Sequence, residues 1–204
     1  MKIVNPASLA PLALLFCAGA ALAAAGTTAA GTTAGETVGA TADRLIEFTI
    51  LDQFDAEHTE ADFAGKVMVV FWGDREGNEP IERWDRTLRR KLKRELAAGT
   101  VDLRTVAHTQ GAPGFIKGMI KSSFSDDPEA WALMDWDGVF AAAYAPVEKQ
   151  CNILVFGRQG ALLTQVATTK LEQAVLDEVL AAVRQGLAGD EAPGQPSRPV
   201  QSNG

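Results

Sequence analysis

Four side chains join reactive chemistry to suggestive placement: Glu76, Glu79, His108 and Cys151. The glutamates stand three residues apart in VVFWGDREGNEP, residues 69–80. A run that reads as a buried strand precedes them and one that reads as an amphipathic helix follows. At a helix N-terminus the free N–H groups and the dipole favour a carboxylate over its acid, so the pair suits an anion more than a general acid. Its plainer role is capping and solubility. His108 closes a second apolar run and Cys151 opens a third. If those runs are neighbouring strands, the four side chains converge at one sheet edge and offer ligand types for zinc or copper. No two of them have a diagnostic ligand spacing.

The remaining candidates have bland readings beside the sharp ones. Cys151 borders an apolar run, where a free cysteine is ordinarily a small core hydrophobe. Reactivity would need an accessible electropositive niche, and Lys149 is close in sequence. His58 reads as exposed in a polar turn, and Trp131 and Trp136 as core or cleft residues. Seven Arg and Lys residues lie between positions 83 and 94 of a chain with net charge −7. Arg83, Arg86, Arg90, Lys93 and Arg94 share the face opposite an apolar stripe. Such a face is either simply solvated or a docking surface for an acidic partner or anionic headgroups. The overall negative charge gives nucleic acid no electrostatic support as a partner.

These residues depend on the elements that carry them. The chain has 204 residues and 47% apolar content, enough for one domain with tails. Residues 1–23 read as a signal peptide: Lys2, a short apolar run and Ala21-Leu22-Ala23 before the cut. The run is short for a spanning helix of about 20 residues, so no transmembrane span is expected after cleavage. A lipoprotein reading through Cys17 is weakened by Phe16 before it. The expected location is periplasmic or secreted. With the leader removed, Cys151 is the single cysteine left of two, and no intrachain disulfide can form. Residues 24–42 read as a flexible Ala/Gly/Thr linker, residues 43–186 as the folded domain, and residues 187–204 as a disordered tail.

Within the domain the elements alternate. Residues 45–51 read as a first strand, and 67–72 as a central strand covered on both faces. Pro80 opens a helix whose apolar stripe is Ile81, Trp84, Leu88, Leu92 and Leu96, ended by Gly99. Residues 101–107 read as a strand, 113–124 as a short helix, and 132–136 as a short strand. Residues 153–156 and 161–166 form a hairpin about Gly157-Arg158-Gln159-Gly160. A last helix starts at a Thr169/Glu172 capping box and ends at a Gly186 C-cap. The expected fold is α/β, a mixed central sheet with helices on both faces.

FTILDQFD (48–55), DFAGKVMVVFWG (62–73) and CNILVFGRQGALL (151–163) resemble the thioredoxin-like redoxin pattern over most of residues 45–185. VAHTQGAPGFIKGMIKSSF (106–124) and DWDGVFAAAYAPVEKQCNILVF (135–156) further resemble the YtfJ-like periplasmic proteins, which lack the catalytic cysteine pair. The resemblance implies a thioredoxin-like fold and puts Glu76 and Glu79 where the pattern has W-x-x-x-C-x-x-C. It puts Cys151 where a cis-proline would precede the hairpin strand. A peroxiredoxin-type cysteine is absent from the same loop.

Three function classes follow. The preferred one is a non-catalytic module that binds a protein partner in the cell envelope, with no cofactor. The others are a one-cysteine redox protein using Cys151 and a metal-binding protein using Glu76, Glu79, His108 and Cys151. Thiol–disulfide oxidoreductase or peroxidase activity is not expected.

Overall fold

A computed structural model describes residues 36–37, 42–74 and 78–189. The proposed leader, most of the linker, Glu76 and the end of the tail lie outside the described residues. No helix among the described residues is long and apolar enough to cross a membrane.

The strands are β1 (Glu36–Thr37), β2 (Thr49–Leu51), β3 (Glu57–Thr59), β4 (Val67–Gly73), β5 (Val101–His108), β6 (Ala132–Asp135), β7 (Cys151–Phe156) and β8 (Leu162–Thr168). The helices are α1 (Asn78–Lys91), α2 (Lys93–Ala97), α3 (Lys117–Lys121), α4 (Val139–Tyr144) and α5 (Gln173–Ala188). Six strands form one mixed sheet in the order β1-β8-β7-β4-β5-β6. β4, β5 and β6 run parallel, while β7 is antiparallel to β4 and to β8. β4 is buried at all seven positions, as its unbroken apolar run requires of a central strand.

Both faces of the sheet are covered. On one, Val67, Val69, Phe71, Cys151, Ile153 and Val155 pack against Ile81, Trp84 and Leu88 of α1 and Val175, Val179 and Val183 of α5. On the other, Met68, Val70, Trp72, Leu154 and Phe156 pack against Phe48, Ile50 and Phe63 and against Phe140 and Tyr144 of α4. The period-2 alternation of strand side chains assigns each residue of β4 and β7 to its layer.

Several expectations are corrected in detail. The first strand does not run through 45–51. Only Thr49–Leu51 is extended, and it forms a separate hairpin with β3, because Asp52 turns the chain. The Asp52 carboxylate accepts the amides of Phe54 at 2.7 Å and Ala56 at 2.9 Å. Glu36–Thr37, inside the segment read as linker, pairs with Val166 and Ala167 of β8. α1 stops at Lys91 and α2 resumes at Lys93, with Leu92 between them. The Thr169/Glu172 capping box does not form: Thr168 Oγ1 bonds the Lys170 backbone instead, and α5 starts at Gln173 with Glu172 making no side-chain cap. Gly186 is not the C-cap, since α5 runs on to Ala188, into the segment read as tail. Gly186 is buried, and a Cβ there would stand 2.9 Å from Val67 Cγ2, so the glycine allows close helix–sheet packing.

Candidate functional site

The C-terminal ends of β4 and β5 and the N-terminal end of β7 meet at one sheet edge. Trp72 of β4 pairs with Val106 of β5 on one side and Asn152 of β7 on the other. His108 therefore emerges beside Trp72, on the layer of Val106, and the two rings tilt together with centroids 4.7 Å apart. Cys151 emerges at the same edge but belongs to the opposite layer, beneath α1 and α5. Glu79 occupies the first turn of α1.

This divides the four residues singled out in the sequence. Strand direction brings His108 and Cys151 to one edge, but strand parity turns them to opposite faces. A ligand set that uses both is incompatible with this register. Among the described residues, no group of three His, Cys, Asp or Glu side chains is arranged to hold a metal ion. Cys151 is wholly buried, and burial pushes its thiol up to about 12. The niche that would activate it is missing.

Around His108 the edge carries further polar groups, of which Thr109, Asp135 and Asn152 were not singled out in the sequence. Trp72 Nε1, His108 Nδ1 and Thr109 Oγ1 are buried without hydrogen-bond partners. Asp135 pairs in register with His108. Its carboxylate accepts the amides of Val139 at 2.7 Å and Phe140 at 3.1 Å, the first turn of α4. Desolvation raises its pKa above the ordinary 3.8, opposed by those two amides and by the charge of His108. Asn152 is also buried. Its Oδ1 accepts the Val147 amide at 2.8 Å, and its Nδ2 donates to the carbonyls of Val147 and Gln150. The loop before β7 is thus pinned by an asparagine side chain, and no peptide bond among the described residues is cis. The same loop reaches the β4–α1 connection, where the Lys149 amide donates to Asp74 Oδ2 at 2.8 Å.

The other candidates fall elsewhere. His58 is not in an exposed turn but in β3, half-buried, with its ring stacked on Trp131 at 3.8 Å and Nε2 3.0 Å from Asp52 Oδ2. Arg104 lies over the Trp131 ring at 4.0 Å, so Trp131 is a packing residue. Trp136 is overlain by Lys117 at 4.6 Å. Arg83, Arg86 and Arg90 are exposed on α1 and Lys93 and Arg94 on α2. Arg89 is paired with Asp85 at 2.8 Å.

No family model matches the chain, and no curated protein matches it. Solved structures do. A putative thiol:disulfide interchange protein DsbE of Chlorobium tepidum superposes with a TM-score of 0.51 at 17% identity, covering 72% of this chain and 99% of that one. The exposed lipoprotein thioredoxin Etrx1 of Streptococcus pneumoniae gives 0.50 at 16%, covering 69% and 99%. Yeast Sco1 gives 0.50 at 16%, covering 70% and 96%. The fold is thioredoxin-like. Within this thioredoxin-like frame the β4–α1 connection carries Glu76, the first turn of α1 carries Glu79, and neither holds a cysteine.

Proposed function

We propose that the protein is an exported thioredoxin-fold module without a dithiol centre, binding a protein partner in the cell envelope and carrying out no thiol chemistry of its own. The observation that carries this reading is the position of Cys151: it is fully buried on the face covered by α1 and α5, away from the side on which Trp72 and His108 meet. A thiol held near 12 supplies no thiolate at neutral pH, and the thiolate is the reactive form. This weighs against the one-cysteine redox reading. The opposed faces of His108 and Cys151 weigh against the four-residue metal reading.

Within the thioredoxin-like proteins, the stretches 106–124 and 135–156 favour the YtfJ-like group, and the 1–23 leader favours a periplasmic or secreted location. The docking surface is the basic row Arg83, Arg86, Arg90, Lys93 and Arg94. It presents exposed cations on a chain of net charge −7, which suits an acidic protein partner and steers its approach. A photo-crosslinking side chain at Arg83 of the exported protein tests this. An adduct is expected that is lost in the Arg86→Glu/Arg90→Glu variant. No adduct, or one indifferent to charge reversal, contradicts the reading.

A further inference from the structure

The opposite edge of the sheet holds a cavity of about 260 Å³. It lies where β4 begins and β7 ends, a strand's length from the Trp72 edge, or roughly 20 Å at the usual rise per residue. Its apolar wall is Phe63, Met68 and Phe156, all buried, with Leu45 beside them. Its polar side chains are Arg44, Lys66, Arg158, Gln159 and one carboxylate, Glu60. Glu60 is already engaged, since its Oε2 accepts the Phe48 amide at 3.1 Å.

Three pieces of chain far apart in sequence are fastened together around this cavity. The Gly65 amide donates to the Arg158 carbonyl at 3.3 Å, joining the turn before β4 to the β7–β8 turn. Gly65 has a φ of +76°, a conformation that favours glycine, and Lys66 follows it. The Leu45 amide donates to the Gly160 carbonyl at 2.6 Å. The buried Tyr144 hydroxyl donates to the Arg44 carbonyl and accepts the Ile46 amide, both at 2.9 Å. Lys66 Nζ donates to the Asp62 carbonyl at 3.1 Å and stands 3.8 Å from Asp102 Oδ2, which leaves the ammonium one further donor.

We propose that this cavity binds a small amphiphilic oxyanion: one carboxylate or phosphate head among Arg44, Lys66 and Arg158, and an apolar body against Phe63, Met68 and Phe156. Guanidinium groups recognise carboxylate and phosphate alike through paired N–H donors. The apolar wall excludes a bare inorganic ion as the preferred occupant. The volume is just under the usual range for small-molecule pockets, about 300–1,000 Å³, which limits the body to a short chain or single ring.

The test is a titration of the full chain with octanoate and octyl phosphate, followed by the NMR signals of the Met68 methyl and the Gly65 and Gly160 amides. Octanol and acetate serve as head-less and body-less controls. Saturable shifts of those signals are expected with either oxyanion, at least about tenfold tighter than with either control, a 1.4 kcal/mol difference. The Lys66→Gln/Arg158→Gln variant is expected to lose about tenfold in affinity, by the same conversion, with the α1 crosslink unaffected. Octanol binding as tightly as octanoate, shifts confined to other residues, or no saturation overturns the proposal. If the variant fails to fold, the comparison of octanoate with octanol on the wild-type chain decides.

Discussion

His108 and Cys151 stand at the same edge of one sheet and face opposite ways. His108 packs on Trp72, with ring centroids 4.7 Å apart, while Cys151 is sealed beneath α1 and α5. A single register fact, Trp72 opposite Asn152 and not Cys151, takes the thiol out of the place where it would do chemistry.

Native Cys151 should resist a soluble maleimide and react stoichiometrically only in denaturant, as read by intact mass. Its pKa, raised from 9.0 to about 12, also sets a stability profile. The folded state keeps the proton that the unfolded chain loses, so stability is intact below pH 9 and falls as pH rises toward 12. Denaturant midpoints should show that decline, and Cys151→Ala should flatten it at a cost of about 1 kcal/mol for the small cavity. Rapid labelling of the folded protein contradicts the burial.

Asp135 gives a second profile of the same sign. A buried carboxyl with a raised pKa contributes its stability at low pH and loses it as pH climbs from 3.8 through the folded value. Asp135→Asn should remove that slope. Asp135→Ala should cost about 1–3 kcal/mol by leaving buried amides of α4 unsatisfied. Urea titrations at several pH values read both.

Gly186→Ala pits two effects against each other. Alanine gains roughly 0.5–1 kcal/mol of helix propensity, but its Cβ would meet Val67 Cγ2 at 2.9 Å and Leu163 Cδ1 at 3.1 Å. Overpacking costs about 1–3 kcal/mol, so the variant should melt at a lower temperature than wild type. A higher melting temperature would show that α5 shifts freely.

Glu76→Gln and Glu79→Gln should leave the fold intact and cost about 0.3–1 kcal/mol each, the scale of a charge at a helix N-terminus. Losses above 2 kcal/mol, or a metal ion bound by the wild type and lost in the double variant, would assign the glutamates a working site. Thermal melts and metal titrations of the double variant measure both.

The scaffold was legible where apolar period and length agree. Val67–Gly73 reads as a central strand because nothing polar interrupts it, and the stripe Ile81, Trp84 and Leu88 of α1, with Leu92 just beyond it, is buried as its spacing requires. α4 was not legible: VFAAAY is short, apolar throughout and has no period to read. His58 was misjudged because the residues that cover it, Asp52 and Trp131, include one 73 positions away. The shared edge of His108 and Cys151 followed from strand direction. Their opposite faces depend on pairing register, which no local pattern encodes. Asp135 and Asn152 carried no motif, and Trp72 entered only as the end of a strand pattern; their polar atoms matter only once the strands are adjacent.

The most direct test of the central claim is insulin-disulfide reduction by the purified mature protein, with dithiothreitol as reductant and Cys151→Ser alongside. The account predicts background turnover, identical in both proteins. Turnover above background that disappears in Cys151→Ser would contradict it.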